Sequence, residues 1–162
     1  MKFTEMFEDI KRGKIGEEIF IEDFLKFLNI NYQDVTGSQQ FQIIDTDLIA
    51  QIGMYEIKTN YRDDRNVIIE EFTNINQMLA PISKGWFYKS KADILVFISK
   101  VTRAMVLIPF NNNFRSYYET IKNNYPLNHN RISIKFDRKW ESAFRVIPLD
   151  NISGFYAMYK RI

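Results

Sequence analysis

Residues 92–99, "ADILVFIS", are apolar almost without a break, and residues 104–110, "AMVLIPF", repeat the pattern a few positions on. A short apolar run of this kind reads as a central strand, and the second reads as its neighbour in the sheet. A strand covered on both faces needs packing partners above and below it. The rest of the chain has to supply them.

Residues 15–28, "IGEEIFIEDFLKFL", supply one layer. Ile15, Ile19, Phe20, Phe24, Phe27 and Leu28 recur at helical spacing, with acids between them. Glu17 borders that stripe and Glu18 lies to its side, while Asn29 and Asn31 end the helix. Residues 41–50, "FQIIDTDLIA", read as a strand, Gln51–Gly53 as a tight turn and 54–59 as the returning strand of a hairpin. A third strand is predicted over 66–72, "NVIIEEF", after the polar turn "YRDDR". Residues 112–125 read as a second helix ended by Pro126, and 131–136 and 143–149 as terminal strands. Between 73 and 91 the pattern is mixed: one helical turn at Gln77–Leu79, broken by Pro81 and Gly85. The order of elements predicts an α/β fold, a central mixed β-sheet flanked by helices. At 162 residues, 1–162 is most simply a single domain.

Composition excludes several chemistries. With 46% apolar and 26% charged residues the chain has the profile of a soluble globular protein. It has no cysteine, so disulfides, thiolate metal sites and a cysteine nucleophile are excluded. The single histidine, His129, excludes a zinc site of several histidines and weighs against a serine–histidine pair. The amino-terminal residues lack the pattern of a signal peptide, and no apolar run approaches the length of a membrane span. A cytoplasmic protein without a membrane is therefore the expectation. No "GKT" or "GKS" occurs, which weighs against a nucleotide-hydrolysing motor.

The net charge of +2 says little about partners. Arg131, Lys135, Arg138 and Lys139 cluster around one acid in 131–139, however, and 84–91, "KGWFYKSK", sets three lysines beside three aromatics. Such patches suit phosphates or stacked bases as well as a solvated surface.

The chemistry is concentrated in "MYEIKTNYR", residues 54–62. In a strand Glu56 and Lys58 share one face, and Tyr55, Ile57 and Thr59 the other. By the same rule Asp45 and Asp47 share a face with Ile43 on the preceding strand. A hairpin register that sets them opposite would gather three carboxylates and one ammonium. Like charges so close raise one another's pKa, and a hard divalent cation relieves the conflict. Lys58 is then placed to orient an attacking water or stabilise charge on a phosphate, with Glu17 as a further ligand. The competing reading is an ordinary half-exposed strand with surface ion pairs. Glu70 and Glu71 follow an apolar run, and Glu70 either supports Lys58 or faces solvent. Gln77 is a candidate substrate contact and Asp93 a strand cap, while Trp86, Phe87, Tyr117 and Tyr118 read as packing residues.

"KIGEE" (14–18), "DLIA" (47–50) and "YEIK" (55–58), in that order, resemble the PD-(D/E)xK, or restriction-endonuclease-like, nuclease superfamily. The continuation "NVIIEEF" and "GWFYKSKADILVFI" is similar to its phage and bacterial members, including Holliday-junction-resolvase-like proteins. The resemblance covers roughly residues 13–110; 111–162 carry no motif of that group. It implies a restriction-endonuclease-like core and a metal-dependent endonuclease cutting DNA, on branched or structured substrates among others, with Mg²⁺ or Mn²⁺ as cofactor. Glu17 resembles the helix glutamate, Asp47 and Glu56 the metal ligands, the Ile57 carbonyl a further ligand, and Lys58 the catalytic lysine. Asp45 and Glu18 are rivals to Asp47 and Glu17, and Thr46 stands where a proline is usual. Cutting two strands with one small nuclease implies a homodimer. A binding or regulatory protein that keeps the fold without cleavage is the alternative.

Overall fold

The computed structural model describes residues 13–60, 65–76, 81–134 and 138–162, and the side chains outside 130–140. The turn expected at "YRDDR" falls mostly outside this range, as do Gln77 and its helical turn and the side chains of the 131–139 basic stretch.

Six strands form the central sheet, in the order β1 (Tyr32–Asp34), β2 (Leu48–Ala50), β3 (Gly53–Asn60), β6 (Ile94–Ser99), β7 (Met105–Pro109), β10 (Ala157–Tyr159). Only β3 and β6 run parallel; the other neighbours are antiparallel, so the sheet is mixed as expected. Strands β4 (Asn66–Asn74), β5 (Ser83–Lys84), β8 (Asn128–Ile134) and β9 (Arg138–Pro148) form a second, antiparallel sheet in the order β5-β4-β9-β8. The sequence reading did not divide the strands between two sheets. β4 leaves the central sheet after β3 and pairs with β9 from near the carboxy terminus.

The alternation of side chains along β6 explains the layering. Val96 and Ile98 face the first helix, α1, which is α-helical over 13–20 and passes into a π-helical turn at Ile21–Lys26. Leu95 and Phe97 face the other way, toward Val67, Ile69 and the helices α3 (Trp86–Lys89) and α4 (Asn112–Ile121). Both faces of β6 are thus buried, which is why its sequence is apolar throughout.

The π turn corrects the predicted stripe of α1. Its extra residue rotates the following side chains, so Asp23 is buried while Phe27 and Leu28, assigned to the core by spacing, are 55% and 46% exposed. Arg103 Nε donates to Asp23 at 2.5 Å and balances the buried charge. Asn29 ends the helix in the left-handed region at φ 55°. Gly16 lets α1 approach β3: a Cβ there would lie 2.1 Å from Thr59 Oγ1. That contact sets Glu17 beside the start of β2.

The strand predicted over 41–50 is the main correction. Gln39–Gln42 form a short helix, α2, and the chain then turns through 43–45, leaving only Leu48–Ala50 extended. Asp45 turns at φ 44°, a conformation Asp tolerates better than most residues.

Candidate active site

Asp47 lies just before β2, against the edge of β3. Its N–H donates to the Tyr55 carbonyl at 2.9 Å, and its Oδ2 accepts the Ile57 N–H at 2.7 Å. The carboxylate has taken the place of a backbone acceptor where the β2 ladder ends. Tyr55 and Ile57 point their peptide groups to the same side, so the Ile57 carbonyl faces the β2 edge of β3, past the end of the β2 ladder.

Glu56 and Lys58 share the face that β6 presents through Leu95 and Phe97, as the parallel register requires. Glu56 is 2% exposed. Its Oε1 forms an ion pair with Lys58 Nζ, and its Oε2 is buried with no hydrogen-bond partner. Burial pushes the Glu56 pKa up, the Lys58 charge opposes this, and the nearby Asp47 adds to it; the result is about 8. Burial also raises Asp47, against the pull of Lys58 and the Ile57 N–H. For Lys58, burial favours the neutral amine, but the charges of Glu56 and Asp47 and the bond to Glu56 outweigh it and hold the pKa above its ordinary value. Nζ lies 5.3 Å from the centre of the Trp86 ring.

Glu17 joins the group from α1. Burial raises its pKa to about 7, followed by repulsion from Asp47 and Asp34, with the Thr36 hydroxyl and Lys14 opposing. Thr36 Oγ1 donates to Glu17 Oε2 at 3.4 Å, and Thr36 is tied in turn to Asp34. Glu18 is exposed.

The structure therefore places Glu56 and Lys58 beside Asp47 on one face of the central sheet, and Glu17 on the other face, where it feels Asp47 and Asp34 but not the Glu56–Lys58 pair; Asp47, at the sheet edge, is the group common to both. Asp45, expected to share a strand face with Asp47, instead pairs with Lys89 at 3.0 Å. Asp34 was missed: nothing in "NYQDVTG" marks it beyond an Asp that bonds its own backbone two residues on. Glu70 is felt by Lys58 and is held by the Thr73 hydroxyl at 3.1 Å. Glu71, its neighbour, is buried and structural, accepting from Tyr118 Oη at 2.6 Å and Arg145 Nε at 2.8 Å. Asp93 caps the start of β3 by accepting the Met54 N–H. Trp86, Phe87 and Tyr118 are core residues, and Tyr117 packs beside them.

Carboxylates and a backbone carbonyl are the donors that hard divalent cations prefer. The unpartnered Oε2 of Glu56 and its raised pKa fit a site that a second cation would complete. The ligands are not assembled around a point, however. No three carboxylate or imidazole groups among the described residues lie close enough to hold a metal ion. Asp47 is turned to the Ile57 N–H, Glu56 to Lys58 and Glu17 to Thr36, so binding would require these side chains to rotate.

No protein-family model matches the sequence, and no curated protein is similar to it. Among solved structures the chain is similar to a bacterial homing endonuclease, with a TM-score of 0.43 and 15% identity over 61% of this chain and 67% of the other. At that score the likeness carries no argument about activity. No helix among the described residues is long and apolar enough to cross a membrane.

Proposed function

We propose that this chain is a metal-dependent endodeoxyribonuclease of the restriction-endonuclease-like type, acting on DNA that includes branched or structured forms. The observation that carries the reading is the grouping of Asp47, Glu56 and Lys58 around the end of β2, with one buried Glu56 oxygen left without a partner. Its support from sequence is the order of the Glu17, Asp47 and Glu56-Ile57-Lys58 motifs.

Asp47, Glu56 and the Ile57 carbonyl would hold Mg²⁺ or Mn²⁺, with Glu17 as a further ligand. Such an ion polarises a phosphoryl oxygen and acidifies bound water. Lys58 is one-third exposed, so its ammonium can meet a phosphate and a water from solvent. There it orients the water and stabilises charge that develops on phosphorus. The buried carboxylates keep that corner short of water, which strengthens each interaction within it. A symmetric homodimer would let two such sites cut both strands.

The test is incubation of supercoiled plasmid, linear duplex and a four-way junction with Mg²⁺ or Mn²⁺, with an EDTA control. Cutting that needs metal and is lost in Lys58→Ala and Glu56→Ala supports the proposal. Tight DNA binding with every substrate intact would replace it with a non-catalytic binder, and cutting by both variants would remove the site from the proposal.

A further inference from the structure

Beside Lys58 the two sheets part to leave a cleft of about 320 Å³. This is the space of roughly ten waters, enough for one planar heterocycle and too small for a paired duplex. Phe97 lines it from the central sheet, Trp86 from α3, and Ile68 and Phe144 from the second sheet. Besides Lys58 and Glu70, its polar side chains are groups that donate and accept without net charge: Asn60, Asn66 and Ser142.

The charge balance argues against a phosphate in the cleft itself. Among the described residues Lys58 is the one basic residue of its lining, and that ammonium is already paired with Glu56. Glu70 also lines the cleft and would repel an anion there. What remains is a site for a flat, neutral group with hydrogen-bonding edges. Aromatic rings offer such a group stacking surfaces, and amides and a carboxylate read its edge.

Resting on the nuclease reading above, we propose that this cleft receives one unpaired nucleobase of the bound strand. Its sugar and phosphate then stay at the mouth, next to Lys58. A base held in a duplex has its edge paired and its faces stacked, and cannot enter. The preferred substrate is therefore a strand unpaired at the site of engagement, as in a single strand, a flap or an open junction. Ile68 is 46% exposed on the cleft wall, so its replacement can fill the space without disturbing the core.

The test measures binding in EDTA by fluorescence anisotropy, so that it does not depend on cleavage. The probes are a short labelled single strand, a strand of equal length built wholly of abasic nucleotides, and the blunt duplex. The base-bearing strand is expected to bind roughly tenfold or more tightly than the abasic one. Ile68→Trp should bring it down to the abasic level and leave the abasic strand unchanged. Phe144→Leu, which keeps bulk but removes a ring, should weaken the base-bearing strand alone and stands in if Ile68→Trp does not fold. Equal binding of base-bearing and abasic strands overturns the inference, as does equal loss for both in the variants or failure to bind any strand. Plasmid cutting without base selectivity sinks the cleft assignment alone. Base selectivity without metal-dependent cutting of any substrate upholds it and removes the nuclease reading instead.

Discussion

The carboxylate of Asp47 accepts the backbone N–H of Ile57 at 2.7 Å, across the end of the β2–β3 ladder. One bond links a residue just past the turn after α2 to the peptide between Glu56 and Ile57. It holds Asp47, which lies just before β2, beside the Glu56 and Lys58 of β3. Asp47→Ala removes that link and leaves a buried N–H without a partner, at an expected loss of about 1–3 kcal/mol in stability. Asp47→Asn keeps an acceptor and should recover most of it. Urea titrations of the two variants compare the bond with the charge; equal losses would mean that the charge, not the bond, matters to folding.

The pH dependence of stability follows from the raised acids. The pKa of Glu56 rises from 4.5 to about 8, and that of Glu17 from 4.5 to about 7. Between these values the folded chain binds more protons than the unfolded one, so stability falls as pH rises through that window. The chain should be more stable near pH 5 than near pH 8, and Glu56→Gln should flatten much of the slope. Denaturant midpoints across that range decide it. A midpoint that rises with pH would contradict the burial of Glu56 as a raised acid.

Divalent cations should act in the opposite sense. A cation and a proton compete for the same carboxylate oxygens, so Mn²⁺ affinity is expected to grow from about pH 6 to pH 8 and binding to release protons. Calorimetry in two buffers of different ionisation enthalpy reads the proton count. Affinity that is flat with pH, or unchanged in Glu56→Gln, would take Glu56 out of the ligand set.

Gly16→Ala tests how closely α1 must sit. Alanine is the better helix former by about 1 kcal/mol. Here, though, its Cβ would meet Thr59 Oγ1 at 2.1 Å, and an overpacked contact costs typically 1–3 kcal/mol. The variant should therefore melt at a lower temperature, and Thr59→Ala in the same chain should restore part of the difference. A stabilised single variant would show that α1 has room to shift.

Glu71→Gln addresses the second sheet. It would leave Arg145, largely buried, facing a neutral amide, and weaken the bond from Tyr118. Breaking a buried pair costs about 3–5 kcal/mol when one partner is removed, and somewhat less when its shape and an acceptor remain. Thermal melts should show a loss at the large end of single substitutions.

The sequence by itself determined the central strands, the helix packed on them and the shared face of Glu56 and Lys58. Continuous apolar runs placed β6 and β7 in the middle of a sheet, because only strands covered on both faces carry them. The helical spacing of Ile19, Phe20 and Phe24 set α1 against that sheet. The Glu56-Ile57-Lys58 alternation put its two charged groups on one face of β3, a fixed property of extended chain. Tertiary structure decided what local pattern cannot hold. The π turn broke the helical phase and exposed Phe27, because a register change inside a helix leaves no mark on apolar spacing. Residues 41–47 alternate well enough for a strand yet form a helix and a turn, and so Asp45 points to Lys89 while Asp47 reaches Ile57. The approach of Glu17 depends on Gly16 meeting Thr59, and that of Glu70 on a second sheet built from the far end of the chain. Contacts between residues so distant in sequence are fixed by packing and by satisfying buried polar groups, and neither is written in any short stretch of the chain.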